Sequence, residues 1–283
     1  KVMYTTIISS EILNSIIKDK NVIVFDCRFD LMKKDEGYNK YLESHIKGAH
    51  YINLELDLSS VITEHSGRHP LQEIEKFTNL LNDYGVNHDS QIIVYDDENN
   101  SMSARLWWML NLVGITKCAV LDGGFKDWTQ NKFPIDSFIP KKNSKENLHY
   151  SYNTNFIVDT QSLKNMLLDK NSVNLVDARD KERFLGKIEP IDTKAGHIPG
   201  AINMPFKDNL DKNGKFKETS YLKKKFTEID NIDSKDLINM CGSGVTACHN
   251  FLAMQHCGLK RLKVYVGSWS AWSSYKDAEI EKE

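Results

Sequence analysis

The 283-residue sequence predicts an α/β protein of two tandem domains, each a mainly parallel central sheet flanked by helices. One observation is repetition: four blocks recur in the same order at an offset of roughly 145 to 152 residues, which marks a duplicated domain. A second is alternation within each half. Short continuous apolar runs, the signature of strands buried on both faces, alternate with amphipathic stretches that read as covering helices. A third is that Cys241 and its counterpart in the first half directly follow two of those runs, at the carboxyl ends where ligands gather in such sheets.

Taken in order, "VIVFDCR" (22 to 28) is a β-branched strand ending in Asp, with Arg two residues on, and it returns as "VNLVDAR" (173 to 179). "ESHIKGAHYIN" (43 to 53) returns as "KAGHIPGAIN" (194 to 203), with His45 and His197 in matching places. A helix is predicted near 71 to 84, then the strand "QIIVYD", a helix near 101 to 112 and the strand "CAVLDGG". The block "QIIVYDDENNSMSARLWWML" (91 to 110) matches "KDLINMCGSGVTACHNFLAM" (235 to 254), and "GITKCAVLDGGFKDW" (114 to 128) matches "GLKRLKVYVGSWSAW" (258 to 272). The stretch 134 to 150 is rich in Lys, Asn and Pro and lacks periodicity, so the expected division is 1–138, a linker at 139–150, and 151–283. Trp107, Trp108, Trp128, Trp269 and Trp272 fall at helix-packing positions and are expected in the core.

Composition narrows the function. A net charge of -2 offers no broad basic field for nucleic acid or acidic lipid. The five cysteines are odd in number and form no C-x-x-C pair, which argues against a disulfide framework and for a reducing compartment. No apolar run is long enough to cross a membrane, so a cytoplasmic protein is expected. Cys248, His249, His256 and Cys257 match no zinc module, and neither a metal nor another cofactor is expected.

The chemistry concentrates at "CGSGVTAC" (241 to 248). Gly242 and Gly244 permit positive φ and close backbone approach, so consecutive N–H groups can face a common concavity, and a helix starting near Val245 or Thr246 adds its positive end. Such a ring favours an anion, which suits a thiolate at Cys241 and an anionic group delivered to it. A phosphatase would need an Arg closing the loop, where this chain has Ala247. A papain-type hydrolase would need a His beside the thiol, and His249 lies inside the predicted helix. Attack of the thiolate on a sulfur atom, leaving a persulfide, fits what is present.

"CGSGVTAC", the blocks "HIKGA" and "HIPGA", "GSWSAW" and the tandem repeat together resemble the two-domain rhodanese-type sulfurtransferases, which include thiosulfate and 3-mercaptopyruvate sulfurtransferases. The resemblance spans nearly the whole chain. It implies two rhodanese-like domains, the first inactive with Asp96 in the nucleophile's place and Asp97 and Glu98 beside it. It implies that Cys241 takes a sulfane sulfur and passes it to a thiol, cyanide or a thioredoxin-like reductant. Gly242, Ser243, Gly244, Val245 and Thr246 would bind substrate with Arg183. Ser243 points to 3-mercaptopyruvate, whereas the second Arg of the family's donor-binding pair is missing, with Ile191 or Asp192 where it would stand, which leaves thiosulfate open. The family pairs a His with a carboxylate and the loop Ser. His45 is a candidate, with Asp35 or Glu36, although its repetition as His197 suggests a shared structural hydrogen bond. Arg68 and His69, in "HSGRHPL" (65 to 71), have no evident twin in the second half and are candidates to line a cleft between the domains. The alternative to an enzyme is a rhodanese-like module that carries persulfide or binds a partner without turnover.

Overall fold

The computed structural model describes residues 2–169 and 172–283, which divide into two compact units. Unit 1 comprises the chain up to Ser59, Gln72–Asn153 and Asp211–Phe216; unit 2 comprises Ser60–Leu71, Thr154–Leu210 and Lys217–Glu283. Each unit thus takes in a short segment from the other half of the sequence.

Unit 1 runs β1 (Ile7–Ile8), α1 (Ser10–Ile16), β2 (Val22–Asp26), α2 (Glu36–Glu43), β3 (His45–Ile46), β4 (His50–Tyr51), α3 (Ile74–Asp83), β5 (Gln91–Tyr95), α4 (Ser103–Leu112), β6 (Cys118–Leu121), α5 (Gly124–Gln130) and β7 (Ile135–Asp136). Unit 2 runs β8 (Ile157–Val158), α6 (Thr160–Leu168), β9 (Val173–Asp177), α7 (Lys181–Phe184), β10 (Ile202–Asn203), α8 (Thr219–Phe226), β11 (Asp236–Met240), α9 (Thr246–His256), β12 (Leu262–Tyr265) and α10 (Ser268–Trp272). Among the described residues each unit has one five-stranded sheet, ordered β1-β6-β5-β2-β4 and β8-β12-β11-β9-β10, with every pairing parallel. The two orders are the same under the sequence repeat, so the expected pair of mainly parallel α/β domains is observed.

The apolar runs explain the sheets. In β2, β5, β9 and β11 all residues after the first are buried, as strands covered on both faces require. Tyr95 and Trp128 join the core of unit 1, and Met240, Tyr265, Trp269 and Trp272 that of unit 2. All five tryptophans are buried as predicted. The repeated Asp-x-Arg is a framing device. Arg28 pairs with Asp26 at 2.6 Å and donates to the Ser44 carbonyl, while Arg179 pairs with Asp177 at 2.7 Å and donates to the Gly196 carbonyl. Each buried pair fixes the following His-Ile-x-Gly-Ala segment to the end of its sheet. The stretch 139–150 belongs to unit 1, where Glu146, Leu148 and Tyr150 hydrogen-bond to Asn82.

Candidate active site in unit 2

Cys241 directly follows β11, the central strand of its sheet, and five residues on α9 begins at Thr246. The Cys241 thiol is buried and accepts the Gly244 N–H at 3.1 Å. Gly244 has φ +82°, which turns that N–H back to the sulfur and which a side chain would disfavour. Gly242 does not have positive φ. Its lack of a side chain serves space: a Cβ there would lie 3.1 Å from Arg68 Nη2 and 3.4 and 3.5 Å from Arg183 Nη1 and Nη2. Two guanidinium groups therefore flank the residue next to the thiol.

The loop is held from one side by α10. Trp269 and Ser270 donate their N–H groups to the carbonyls of Cys241 and Gly242, each at 2.9 Å. The Cys241 N–H donates to Ser268 Oγ at 3.0 Å, and that hydroxyl donates to the Tyr265 carbonyl. Ser268 adopts φ 53°, where its counterpart Gly124 in unit 1 has φ 60°. A serine in a position suited to glycine costs about 1–3 kcal/mol, and here it supplies the acceptor for the nucleophile's own N–H. Sequence reasoning passed over Ser268; the signal was a Ser aligned with Gly in the repeated block.

From the other side the loop is covered by 60–71. Gly67 passes so close that a Cβ would lie 2.7 Å from the Gly267 carbonyl, the Arg68 N–H donates to Ser270 Oγ, and His65 stacks on Tyr275 and meets Ser274 Oγ at 2.8 Å. His69 is buried, with Nδ1 2.7 Å from Ser243 Oγ. The histidine at the loop serine is thus His69. His45 sits in unit 1, stacked on Tyr41, with its ring nitrogens at the carbonyls of Tyr41 (2.7 Å) and Phe138 (3.1 Å). His197 repeats this in unit 2, stacked on Phe184 and bound to its carbonyl at 2.7 Å. The repeated histidines are framework, and Asp35 and Glu36, at the start of α2, belong to unit 1 with His45.

Arg183, on α7, is held by Glu189 through Nη2 at 2.9 Å. Burial alone would raise the Glu189 carboxyl, but the N–H groups of Asp192 and Ile191 and the Arg183 guanidinium outweigh it and hold it below its ordinary value. Asp192 joins the two arginines: one oxygen pairs with Arg68 Nη1, the other lies 3.3 Å from Arg183 Nη2. Arg68 therefore stands beside Arg183, in a chain that has Ile191 or Asp192 where the resemblance implies a second arginine. Val245 is buried and Thr246 half-buried at the start of α9.

Burial pushes Cys27, Cys118 and Cys257 upward, leaving them protonated at neutral pH. Cys248 is buried one turn into α9, its thiol on the Gly244 carbonyl. Among the described residues no three His, Cys, Asp or Glu side chains converge as a metal site would need, and no helix is long and apolar enough to cross a membrane.

The counterpart loop in unit 1 follows β5. Phe125 and Lys126 donate to the carbonyls of Asp96 and Asp97, the same bonds that Trp269 and Ser270 make to Cys241 and Gly242. Asp96 thus occupies the position of Cys241. Its carboxylate accepts the N–H groups of Asn100 (3.0 Å), Met102 (2.9 Å) and Ser103 (2.9 Å). The segment covering this loop is Asp211–Phe216: Gly214 abuts the Glu98 carbonyl, Lys215 pairs with Asp127 at 2.9 Å, and the Phe216 N–H donates to Asp122. Both loops are thus covered by a segment carrying a Gly followed by a basic residue, but through different contacts: Gly67 meets the Gly267 carbonyl and Arg68 pairs with Asp192, whereas Gly214 meets the Glu98 carbonyl and Lys215 pairs with Asp127.

A rhodanese-like domain model matches residues 9–131 and 159–275. A probable 3-mercaptopyruvate sulfurtransferase of Pseudomonas aeruginosa is 35% identical over 269 residues, 94% of each chain. A putative thiosulfate sulfurtransferase of Mycobacterium tuberculosis is 34% identical over 271 residues, covering 95% of this chain and 93% of the relative. Among solved structures, an Escherichia coli enzyme described as a 3-mercaptopyruvate sulfotransferase aligns with a TM-score of 0.81 at 29% identity, covering 94% of this chain and 99% of the other.

Proposed function

Because the chain belongs to the rhodanese family of sulfurtransferases, matched over both of its domains, we propose that it moves the thiol sulfur of 3-mercaptopyruvate to an acceptor through a persulfide on Cys241. The acceptor is a thiol, cyanide or a thioredoxin-like protein. The observation that carries the choice of donor is the 2.7 Å contact of His69 Nδ1 with Ser243 Oγ, in the same loop as the thiol.

The Cys241 thiolate attacks the donor sulfur. The S–S bond forms as the C–S bond breaks, and the electron pair of that bond leaves on carbon as the enolate of pyruvate. The proton of the donor thiol passes through Ser243 and His69 to that carbon, giving pyruvate and a persulfide anion on Cys241. Ser243 and His69 are a hydrogen-bonded pair of proton-transferring groups, and no other reactant is needed for the balance. Arg68 and Arg183 bind the donor carboxylate as a pair of guanidinium forks. The Gly244 N–H, which already meets the sulfur, and the start of α9 stabilise the anion. In the second half-reaction an acceptor thiolate or cyanide takes the outer sulfur and releases the Cys241 thiolate.

Unit 1, with Asp96 in the equivalent place, carries no nucleophile and serves as the silent copy. Thiosulfate is the second donor to test, since the same arginine pair suits a sulfonate-like group and one relative bears that name. There, sulfite leaves with the electron pair of its S–S bond, and no proton is required.

Intact-mass spectrometry of the reduced protein after exposure to each donor tests the reading. A gain of one sulfur atom, absent in Cys241→Ser and retained in Cys248→Ser, is the expected result. Turnover with a small acceptor separates an enzyme from a persulfide carrier. Substantial transfer by Cys241→Ser would remove the mechanism.

A further inference from the structure

The arginine pair already holds a carboxylate, that of Asp192. Two acids meet the two guanidinium groups, and they are held differently. Glu189 is anchored by the main chain, accepting the N–H groups of Ile191 (3.0 Å) and Asp192 (2.9 Å) in addition to Arg183. Asp192 instead gives one oxygen to Arg68 and the other to Arg183, and its side chain is only 7% exposed. Glu189 is thus part of the loop's architecture, whereas Asp192 occupies the forks that a carboxylate donor would use. In charge, two guanidinium groups are matched by two carboxylates, so the cluster as it stands has no net attraction for an anion.

From this arrangement we infer that Asp192 is a specificity-determining residue, an internal carboxylate that an anionic donor must displace from between Arg68 and Arg183. The inference rests on the donor-binding reading above. Exchange of one carboxylate for another conserves charge and hydrogen bonds, so the displaced state is accessible. A tethered group competes at an effective concentration of about millimolar or above, and the apparent affinity for donor falls by the fraction of molecules in which the forks are occupied. A donor with a single carboxylate fitted to both forks displaces Asp192 more readily than a bulkier anion that engages only one. The device filters donors at the binding step and leaves the sulfur chemistry at Cys241 unaltered.

The test is Asp192→Asn, with Asp192→Ser as a second variant should the first not fold. KM and kcat for 3-mercaptopyruvate are measured, and binding of pyruvate is followed by calorimetry in a Cys241→Ser background, where no sulfur transfer intervenes. The expected result is pyruvate bound about tenfold more tightly and a KM lowered by about the same factor, with the change carried by KM rather than kcat. Pyruvate binding that is unchanged or weaker in a folded variant would overturn the inference and make Asp192 a residue that positions the arginines. Tighter pyruvate binding in a protein that acquires no sulfur from either donor would sustain the inference and refute the sulfur-transfer reading, so the two can fail separately.

Discussion

Gly242→Ala probes the arginine pair without touching it. The added methyl lies 3.1 Å from Arg68 Nη2, closer than nearly all side-chain contacts, so the guanidinium must retreat by a few tenths of an ångström; Arg183, at 3.4 and 3.5 Å, meets it at ordinary contact distance. Retreat is restricted, because Arg68 is paired with Asp192 and its own N–H is fixed on Ser270 Oγ. A hydrogen bond to a charged group contributes about 1.5–3 kcal/mol, and misaligning one of the two forks loses about half of that. The expected effect is about 1 kcal/mol of donor binding, or roughly a fivefold to tenfold rise in KM for 3-mercaptopyruvate. Gly242 has no positive φ, so the backbone accepts alanine and the urea midpoint stays close to wild type. Steady-state kinetics together with urea unfolding decide it. An unchanged KM in a stably folded variant would refute the claim that the two guanidinium groups bind the donor beside the loop.

His69→Asn separates the donors. With 3-mercaptopyruvate the leaving carbon needs a proton, and turnover is expected to fall by about a hundredfold or more, whereas loading from thiosulfate changes little; equal losses would refute the proton-transfer role. Asp122→Asn tests the covering segment of unit 1. Burial pushes the Asp122 carboxyl up to about 6, against the N–H of Phe216 and the charge of Lys215, which oppose the rise. The folded state therefore holds this proton more tightly than the unfolded chain. Its stabilising contribution is complete below about pH 4 and is lost as pH rises to about 6. An asparagine keeps the acceptor for Phe216 and stays neutral, so the variant is expected to be more stable than wild type by on the order of 2 kcal/mol at pH 7.5 and equal to it near pH 4 in urea titrations. An advantage confined to low pH would contradict the assignment.

The framework was legible because it is local and repeated. The strands at 22–26 and 91–95 end where their apolar runs end, and the tryptophans fill the cores that their spacing predicted. Cys241 was legible because a thiol between a buried strand and a Gly-x-Gly turn has few structural uses. The remainder of the site was harder, for a physical reason. Arg68 and His69 reach the loop on a segment drawn from the other half of the sequence, and no local pattern announces a contact of that range. His45 is a candidate only through the family resemblance, whereas its repetition as His197 points to a shared structural hydrogen bond, and each histidine does meet a nearby carbonyl of its own unit. The departures from the repeat are the more informative positions: Cys241 for Asp96 and Ser268 for Gly124.

The exchange of Asp96 for Cys241 also bears on what the loop is built to hold. In unit 1 the Asp96 carboxylate reaches two bonds from Cβ and accepts the N–H groups of Asn100, Met102 and Ser103 together with the Ser103 hydroxyl. In unit 2 the Cys241 side chain ends one bond from Cβ and takes the N–H of Gly244. A persulfide adds one sulfur to that side chain and carries the negative charge on the outer atom, two bonds from Cβ, as in aspartate. Burial raises the Asp96 carboxyl above its ordinary value while the N–H groups of Ser103, Asn100 and Met102 oppose the rise, so the unit 1 loop is built to receive an oxygen acceptor at the distance from Cβ that the outer sulfur of a persulfide would reach. Retention of the loop frame in both units, with the same two N–H bonds from α5 and α10, supports a turn that is an anion receptor first.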